Sequence, residues 1–246
     1  MSDSLPIQRN TSLRSFNTFG VEARARAFLP ITDAATLAAV RGDATLNALP
    51  RLVLGGGSNI LLRGDFDGLV LHMESRGIEI LRQDEHDTWV RVAAGENWHD
   101  FVLWTLEQGF GGLENLSLIP GSAGAAPIQN IGAYGAEVKD CIASVTAFDF
   151  ESGEFMTLTR EACEFAYRDS VFKHRLRERA VITEVTFRLP RAWQADTRYT
   201  ELAQELAARG MDSPTARDVS DAVIAIRERK LPDPAVIGNA GSFFKN

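Results

Sequence analysis

The sequence predicts a mixed fold of helices and sheets, with a small α/β unit in its first third and a larger strand-rich region after it. Three observations carry that expectation. Short apolar runs bounded by Gly or Asp alternate with one helical stretch near the N-terminus. Val181, Thr183, Val185, Phe187 and Leu189 alternate with Ile182, Glu184, Thr186 and Arg188, a largely period-two pattern that suits a sheet with one buried face and an antiparallel neighbour. Trp98, Phe101, Val102 and Leu106 share one face of a helix that packs on a core.

Taken in order, Asp33 to Ala44 reads as a helix, and Arg51–Leu54, Asn59–Leu62 and Gly68–Met73 as short apolar, strand-like runs. GIEILRQD and TWVRVAAG continue the strands before ENWHDFVLWTLEQGF turns helical. SVTAFDF and EFMTLTR flank Glu151-Ser152-Gly153, a hairpin turn. Thr215-Ala-Arg-Asp218 resembles a capping box with Asp in place of Glu, and opens a helix with Val219, Ala222, Val223 and Ile226 on one face. Arg227, Arg229 and Lys230 suit its C-terminal end, and Leu231-Pro-Asp-Pro234 stops it. GNAGSFFKN then begins an element that the 246 residues do not finish, so the chain is expected to end within a domain.

Composition narrows the function. With 45% hydrophobic and 24% charged residues, the chain has the make-up of a folded soluble protein. Lys and Arg total 26 against 33 Asp and Glu, and no dense basic run could track a phosphate backbone, so nucleic acid is not an expected partner. The N-terminus lacks the pattern of a signal peptide and no apolar run approaches membrane-spanning length. The expected location is the cytoplasm, away from membranes. Cys141 and Cys163 read as buried thiols, and His72, His86, His99 and His174 share no metal-ligand spacing, so no metal site is expected.

Four segments could carry chemistry. Gly55-Gly56-Gly57-Ser58-Asn59 offers successive amides that can approach a pyrophosphate without side-chain clash; the alternative is a flexible turn between two strands. It is neither a Rossmann fingerprint, because the third glycine is missing and a strand rather than a helix is expected to follow, nor a P-loop. Leu113 to Gly135 is apolar after Glu114 and rich in small residues: Pro120, Gly121, Ser122, Gly124, Ala125 and Ala126 would let the backbone crowd a flat or phosphorylated ligand. Gln129, Asn130 and Tyr134 supply polar edges, with Gly132 between them. A packed crossing between subdomains would use the same residues. Tyr167-Arg168-Asp169-Ser170 presents a guanidinium that can hold a carboxylate in two-point contact, or a surface Arg–Asp pair. Ser242, in GNAGSFFKN, has no hydrolase elbow around it and suits a proton donor better than a nucleophile; in isolation it is a turn serine.

NTFG at 17–20, GGGSN, AGENWHDFV, GLENLSLIPG, PIQNIGAYG, YRDSVFKH, KLPDP and GNAGSFFKN together strongly resemble the reductase family commonly called MurB, across nearly the whole chain. The resemblance implies an α+β, FAD-binding fold of the vanillyl-alcohol oxidase / p-cresol methylhydroxylase type. The flavin domain would span 17–195, in subdomains of about 17–66 and 67–195, and 196–246 would be a linker and the beginning of a substrate-binding domain. It further implies reduction of UDP-N-acetylglucosamine enolpyruvate to UDP-N-acetylmuramate, with FAD as cofactor and NADPH as hydride donor, by a monomer. Arg168 would lie beside the enolpyruvyl carboxylate, Ser242 would be the proton donor, and Tyr167, Tyr199, Lys230 and Asn246 would contact the UDP-sugar, Lys230 at its diphosphate. The family continues for roughly a hundred further residues that supply a catalytic glutamate, so this chain is expected to be nearly inactive alone. A flavin oxidase of the same fold and a flavin- or nucleotide-binding module without catalysis are the rival expectations.

Overall fold

A computed structural model gives the fold and describes residues 5–240. The chain runs through β1 (Gln8–Ser12), β2 (Arg24–Ile31), helices α1 (Ala35–Gly42) and α2 (Ala44–Asn47), β3 (Arg51–Leu54) and β4 (Phe66–Met73). These strands form one sheet in the order β1-β2-β4-β3, with β1 antiparallel to β2 and β4 parallel to both its neighbours. The sheet reaches Met73, past the subdomain limit expected near 66. No strand forms at Asn59–Leu62, which corrects the expectation there. Ile60 and Leu62 are apolar because they pack against a small cluster of Leu13, Ala25, Phe28, Leu54 and Val70.

Strand β2 buries residues on both faces. Ala27, Leu29 and Ile31 join the main core, whereas Ala25 and Phe28 join the small cluster. Ala25 and Ala27 are two residues apart and would share a face in a regular strand; the ladder with β4 slips between them, which turns them to opposite sides. That slip hides the strand from a period-two reading.

The second sheet takes β5 (Ile78–Gln83) and β6 (Asp87–Ala93), then, after helix α3 (Trp98–Glu107) and the small ribbon of β7 (Gly132–Ala133) and β8 (Ala136–Glu137), the strands β9 (Ile142–Asp149), β10 (Glu154–Thr159) and β11 (Ala180–Pro190). Its order is β10-β9-β11-β6-β5, antiparallel throughout. The β9–β10 turn forms as expected, with Gly153 at φ +82° and Asp149 opposite Glu154. Helix α3 buries Trp98, Phe101, Val102 and Thr105; Leu106 is only partly buried, and the Thr105 hydroxyl is satisfied by the Val102 carbonyl at 2.7 Å. Cys163 is buried and Cys141 half-buried, both as free thiols. Burial pushes each up to about 12, which leaves neither as a thiolate nucleophile near neutral pH.

Beyond β11 lie helix α4 (Thr200–Ala208), which no sequence signal marked, and α5 (Ala216–Lys230), whose Thr215/Asp218 capping box forms as expected. Leu202 and Leu206 pack against Val219, Ala222, Val223 and Ile226 to make a separate core. Polar contacts fix this pair to the main body: Ser117 Oγ to Ser220 Oγ at 2.8 Å, Asn115 Nδ2 to the Asp196 carbonyl at 2.9 Å, and Trp193 Nε1 to Glu114 Oε1 at 2.8 Å. Ser117, Ser220, Asn115 and Glu114 are all buried, so each bond satisfies a group that would otherwise be costly to desolvate. Among the described residues no helix is long and apolar enough to cross a membrane.

Candidate functional site

The loop that leaves β3 meets the 121–126 segment backbone to backbone. A Cβ on Gly55 would lie 2.3 Å from Ser122 Oγ, and one on Gly56 would lie 3.1 Å from Gly121 Cα. Gly57 sits at φ +61° and its Cβ would be 2.0 Å from the Phe16 carbonyl oxygen. Packing therefore requires these glycines, and the loop is held by contacts rather than left as a flexible turn. The same geometry leaves polar groups over: among the described residues, the main-chain N–H groups of Gly55, Gly56, Gly57, Ser58, Gly121 and Ser122 have no protein acceptor. Such amides on touching glycine loops are anion donors in waiting.

Beside this junction lies a cavity of about 320 Å³, walled by β3, the 122–128 segment and the start of β11. Its volume falls at the small end of ligand sites, roughly 300–1,000 Å³. Gly55, Ser122, Gly124 and Ala125 line it, and its ionisable rim is Arg51, Arg177 and Glu178. Burial lowers Arg51 from the usual guanidinium range, with the Glu178 carboxylate opposing that shift. Asn59 Nδ2 donates to Gln129 Oε1 at 2.7 Å and joins the two loops on their other side. Ala126 packs into the main core, and Pro120 lies exposed at the head of the segment.

Thr18 links the glycine loop to the segment after α5. Thr18 N–H donates to the Gly57 carbonyl at 3.2 Å, while Thr18 Oγ1 donates to the Asn239 carbonyl at 2.6 Å and Asn239 N–H donates to the Thr18 carbonyl at 3.1 Å. The first residues of GNAGSFFKN are thereby tied, through Thr18, to the glycine loop. Ser242 and Asn246 lie outside the described residues.

The second part of the site is made of side chains. The Arg168 guanidinium donates to the Gly132 carbonyl and, at 3.4 Å, to that of Asn130, and stands 5.3 Å from the exposed Tyr167 ring. The expected alternative of an Arg168–Asp169 surface pair is not formed, because Asp169 Oδ2 instead meets His174 Nε2 at 2.8 Å, which holds the Asp169 carboxyl below its ordinary range. Asn130 is fully buried, with its amide bonded to the Ala166 carbonyl at 2.9 Å and to Lys139 N–H at 3.1 Å. Leu118, Asn130, Tyr134 and Arg168 all hold left-handed backbone, which costs about 1–3 kcal/mol at a non-glycine residue and concentrates at functional sites.

Tyr134 and Tyr199 meet edge to face, their centroids 5.2 Å apart. Burial raises the Tyr134 phenol, and its hydroxyl is bonded to Arg227, itself lowered by burial. Arg227 Nε also donates to the Leu118 carbonyl at 3.2 Å, and Leu118 N–H donates to His99 Nδ1 at 3.0 Å. Arg227, expected only as a helix-terminal cation, stands three residues from Lys230 on one helical face, and that spacing is its signal in the sequence. Lys230 Nζ pairs with Glu201 Oε2, which raises the ammonium above its usual range.

Residues 25–159 match the model of a family described as the FAD binding domain. The UDP-N-acetylenolpyruvoylglucosamine reductase of Dechloromonas aromatica (strain RCB) is 53% identical over 240 residues, covering 96% of this chain and 70% of that protein. The reductase of the same name from Paraburkholderia phymatum is 54% identical over 247 residues, covering 99% of this chain and 71% of that protein. The crystal structure of UDP-N-acetylenolpyruvylglucosamine reductase (MurB) from Thermus caldophilus resembles the fold with a TM-score of 0.60 at 21% identity, over 93% of this chain and 97% of that one.

Proposed function

Because the chain belongs to the UDP-N-acetylenolpyruvoylglucosamine reductase family, we propose that it serves the NADPH-dependent reduction of UDP-N-acetylglucosamine enolpyruvate to UDP-N-acetylmuramate, with FAD as resident cofactor. The observation that carries this reading is the junction of two glycine loops, with its unpaired amides beside an apolar cavity. A pyrophosphate is the group such a junction suits, since a Cβ at Gly55, Gly56 or Gly57 would close the space and the donors lack other partners. The residues therefore fit FAD. Gly55 to Asn59 would hold its phosphates, while Gly121 to Ala125, Gln129, Asn130, Gly132 and Tyr134 would wall its other parts.

When bound, FAD supplies the two-electron relay between NADPH and C3 of the enolpyruvyl group. Arg168 has five N–H donors, and carbonyl contacts to Asn130 and Gly132 fix its plane while leaving donors for a substrate carboxylate. Charge that develops on that carboxylate during reduction is what the guanidinium stabilises. Ser242 would deliver the proton to C2. Tyr167, Tyr199, Lys230 and Asn246 would hold the UDP-sugar, with Lys230 at the diphosphate. The setting we propose is a cytoplasmic monomer acting in peptidoglycan precursor synthesis.

An anaerobic absorbance titration tests the reading. The flavin should bleach on addition of NADPH and recover its colour when UDP-N-acetylglucosamine enolpyruvate follows. Bleaching without recovery, in this chain and in a version extended at its C-terminus, would refute the assigned substrate and favour an oxidase or a binding module. Full recovery in the 246-residue chain alone would overturn the expectation that it is inactive.

A further inference from the structure

Lys230 closes α5, and Glu201 stands in the first turn of α4, so the antiparallel packing of the two helices brings the ends of their side chains together. The pair is partly open to solvent, with side-chain exposures of 54% for Lys230 and 30% for Glu201, so a solute can reach it. It is also segregated from its neighbours: Arg229 and Arg209 are both taken by Glu205, and Arg227 is turned inward to Tyr134 and Leu118. Tyr199, 43% exposed, lies beside the pair and adds an aromatic wall.

We propose that Glu201 is a built-in counter-ion for Lys230, which an anionic ligand must displace, and that it thereby sets how strongly this face selects a nucleoside diphosphate over simpler anions. The inference rests on the proposed placement of the UDP-sugar at Lys230. An uncompensated ammonium would attract any phosphate in solution. With Glu201 against it the local charge is near zero, and a second negative group arriving at Lys230 meets the carboxylate as well. A bare anion then gains little. A ligand that also stacks on Tyr199 recovers the loss from a contact that Glu201 does not oppose. Glu201 is on this account a specificity-determining residue that need not touch the reacting atoms.

The test is calorimetric titration of the FAD-bound protein with uridine 5′-diphosphate and with inorganic phosphate, for the wild type, Glu201→Gln, Lys230→Met and the double variant. Glu201→Gln keeps the shape and removes the charge. It should tighten uridine diphosphate binding about two- to fivefold at low salt, the range expected of one exposed ion pair, with the gain shrinking as salt rises. Phosphate binding should tighten by a larger factor, equal factors would overturn the claim that Glu201 sets selectivity, and both gains should vanish in the Lys230→Met background. An unchanged or weakened affinity in Glu201→Gln would overturn the proposal and leave Glu201 as a residue that merely aims Lys230. Uridine diphosphate binding that ignores Lys230→Met would overturn it as well. Neither outcome touches the flavin titration, so failure here and failure of the reductase reading remain distinguishable.

Discussion

The glycine-loop junction and the face carrying Arg168, Tyr199 and Lys230 share one scaffold but are built from different atoms. The junction uses main-chain amides held by backbone contact, with Gly57 wedged against Phe16 and Gly56 against Gly121. The face uses long charged and aromatic side chains, several of them already paired: Lys230 with Glu201, Arg227 with Tyr134, and Arg168 with two carbonyls. A backbone site cannot be retuned without moving the fold, whereas a side-chain site can exchange partners when a ligand arrives. Changes in the first should therefore appear as lost stability and lost cofactor, and changes in the second as altered kinetics, salt dependence and pH dependence.

The largest effect that would sharpen this contrast is expected from Gly57→Ala. The added Cβ meets the Phe16 carbonyl in a left-handed conformation, and strain plus overpacking should cost about 4 kcal/mol. Thermal unfolding and flavin content of the purified protein should both collapse; a variant that keeps its flavin would break the argument. Arg168→Gln should leave the melting temperature and flavin content nearly intact while slowing substrate-driven flavin reoxidation about 10²-fold or more, read by stopped-flow absorbance. Gly55→Ala should cost about 1–3 kcal/mol because its Cβ strikes Ser122 Oγ, and Ser122→Gly in the same chain should restore most of the loss in a denaturant titration.

The smallest effect concerns His99. Burial, aided by Arg227 and Arg217 and opposed by Asp100, holds its imidazole below the ordinary range, and neutral Nδ1 accepts the Leu118 N–H. A folded-state value below the unfolded value, about 6.5, means that the stability it contributes is complete above that pH and is lost as the pH falls below it. Wild type should therefore lose stability relative to His99→Gln, by under about 1 kcal/mol, between pH 7.5 and 5.5. Paired thermal melts at those two pH values measure it, and parallel curves would remove His99 from the set of groups that tune the face.

The sequence exposed what depends on local pattern. The capping box at Thr215 and Asp218, the turn at Gly153 and the alternation along β11 each involve residues within a few positions of one another, and each is found. The two glycine loops were also legible, because only close backbone approach explains so many small residues together. What stayed hidden depends on tertiary contact. The ladder slip in β2 scrambles its alternation, and Ile60 and Leu62 looked like a strand because they serve a core cluster from a loop. Helix α4 buries only Leu202 and Leu206, too few to mark a face. The partner of Lys230 lies 29 residues upstream, and nothing local announces it.

Thr18, which bonds Gly57 of the glycine loop, and its partner Asn239 are separated by 221 residues of chain. A ribosome adding about 5–20 residues per second would hold that link back for roughly 10–40 s after Thr18 is made. The two sheets and the cavity between them are encoded before that link, so they can form on the nascent protein before the segment after α5 docks on Thr18.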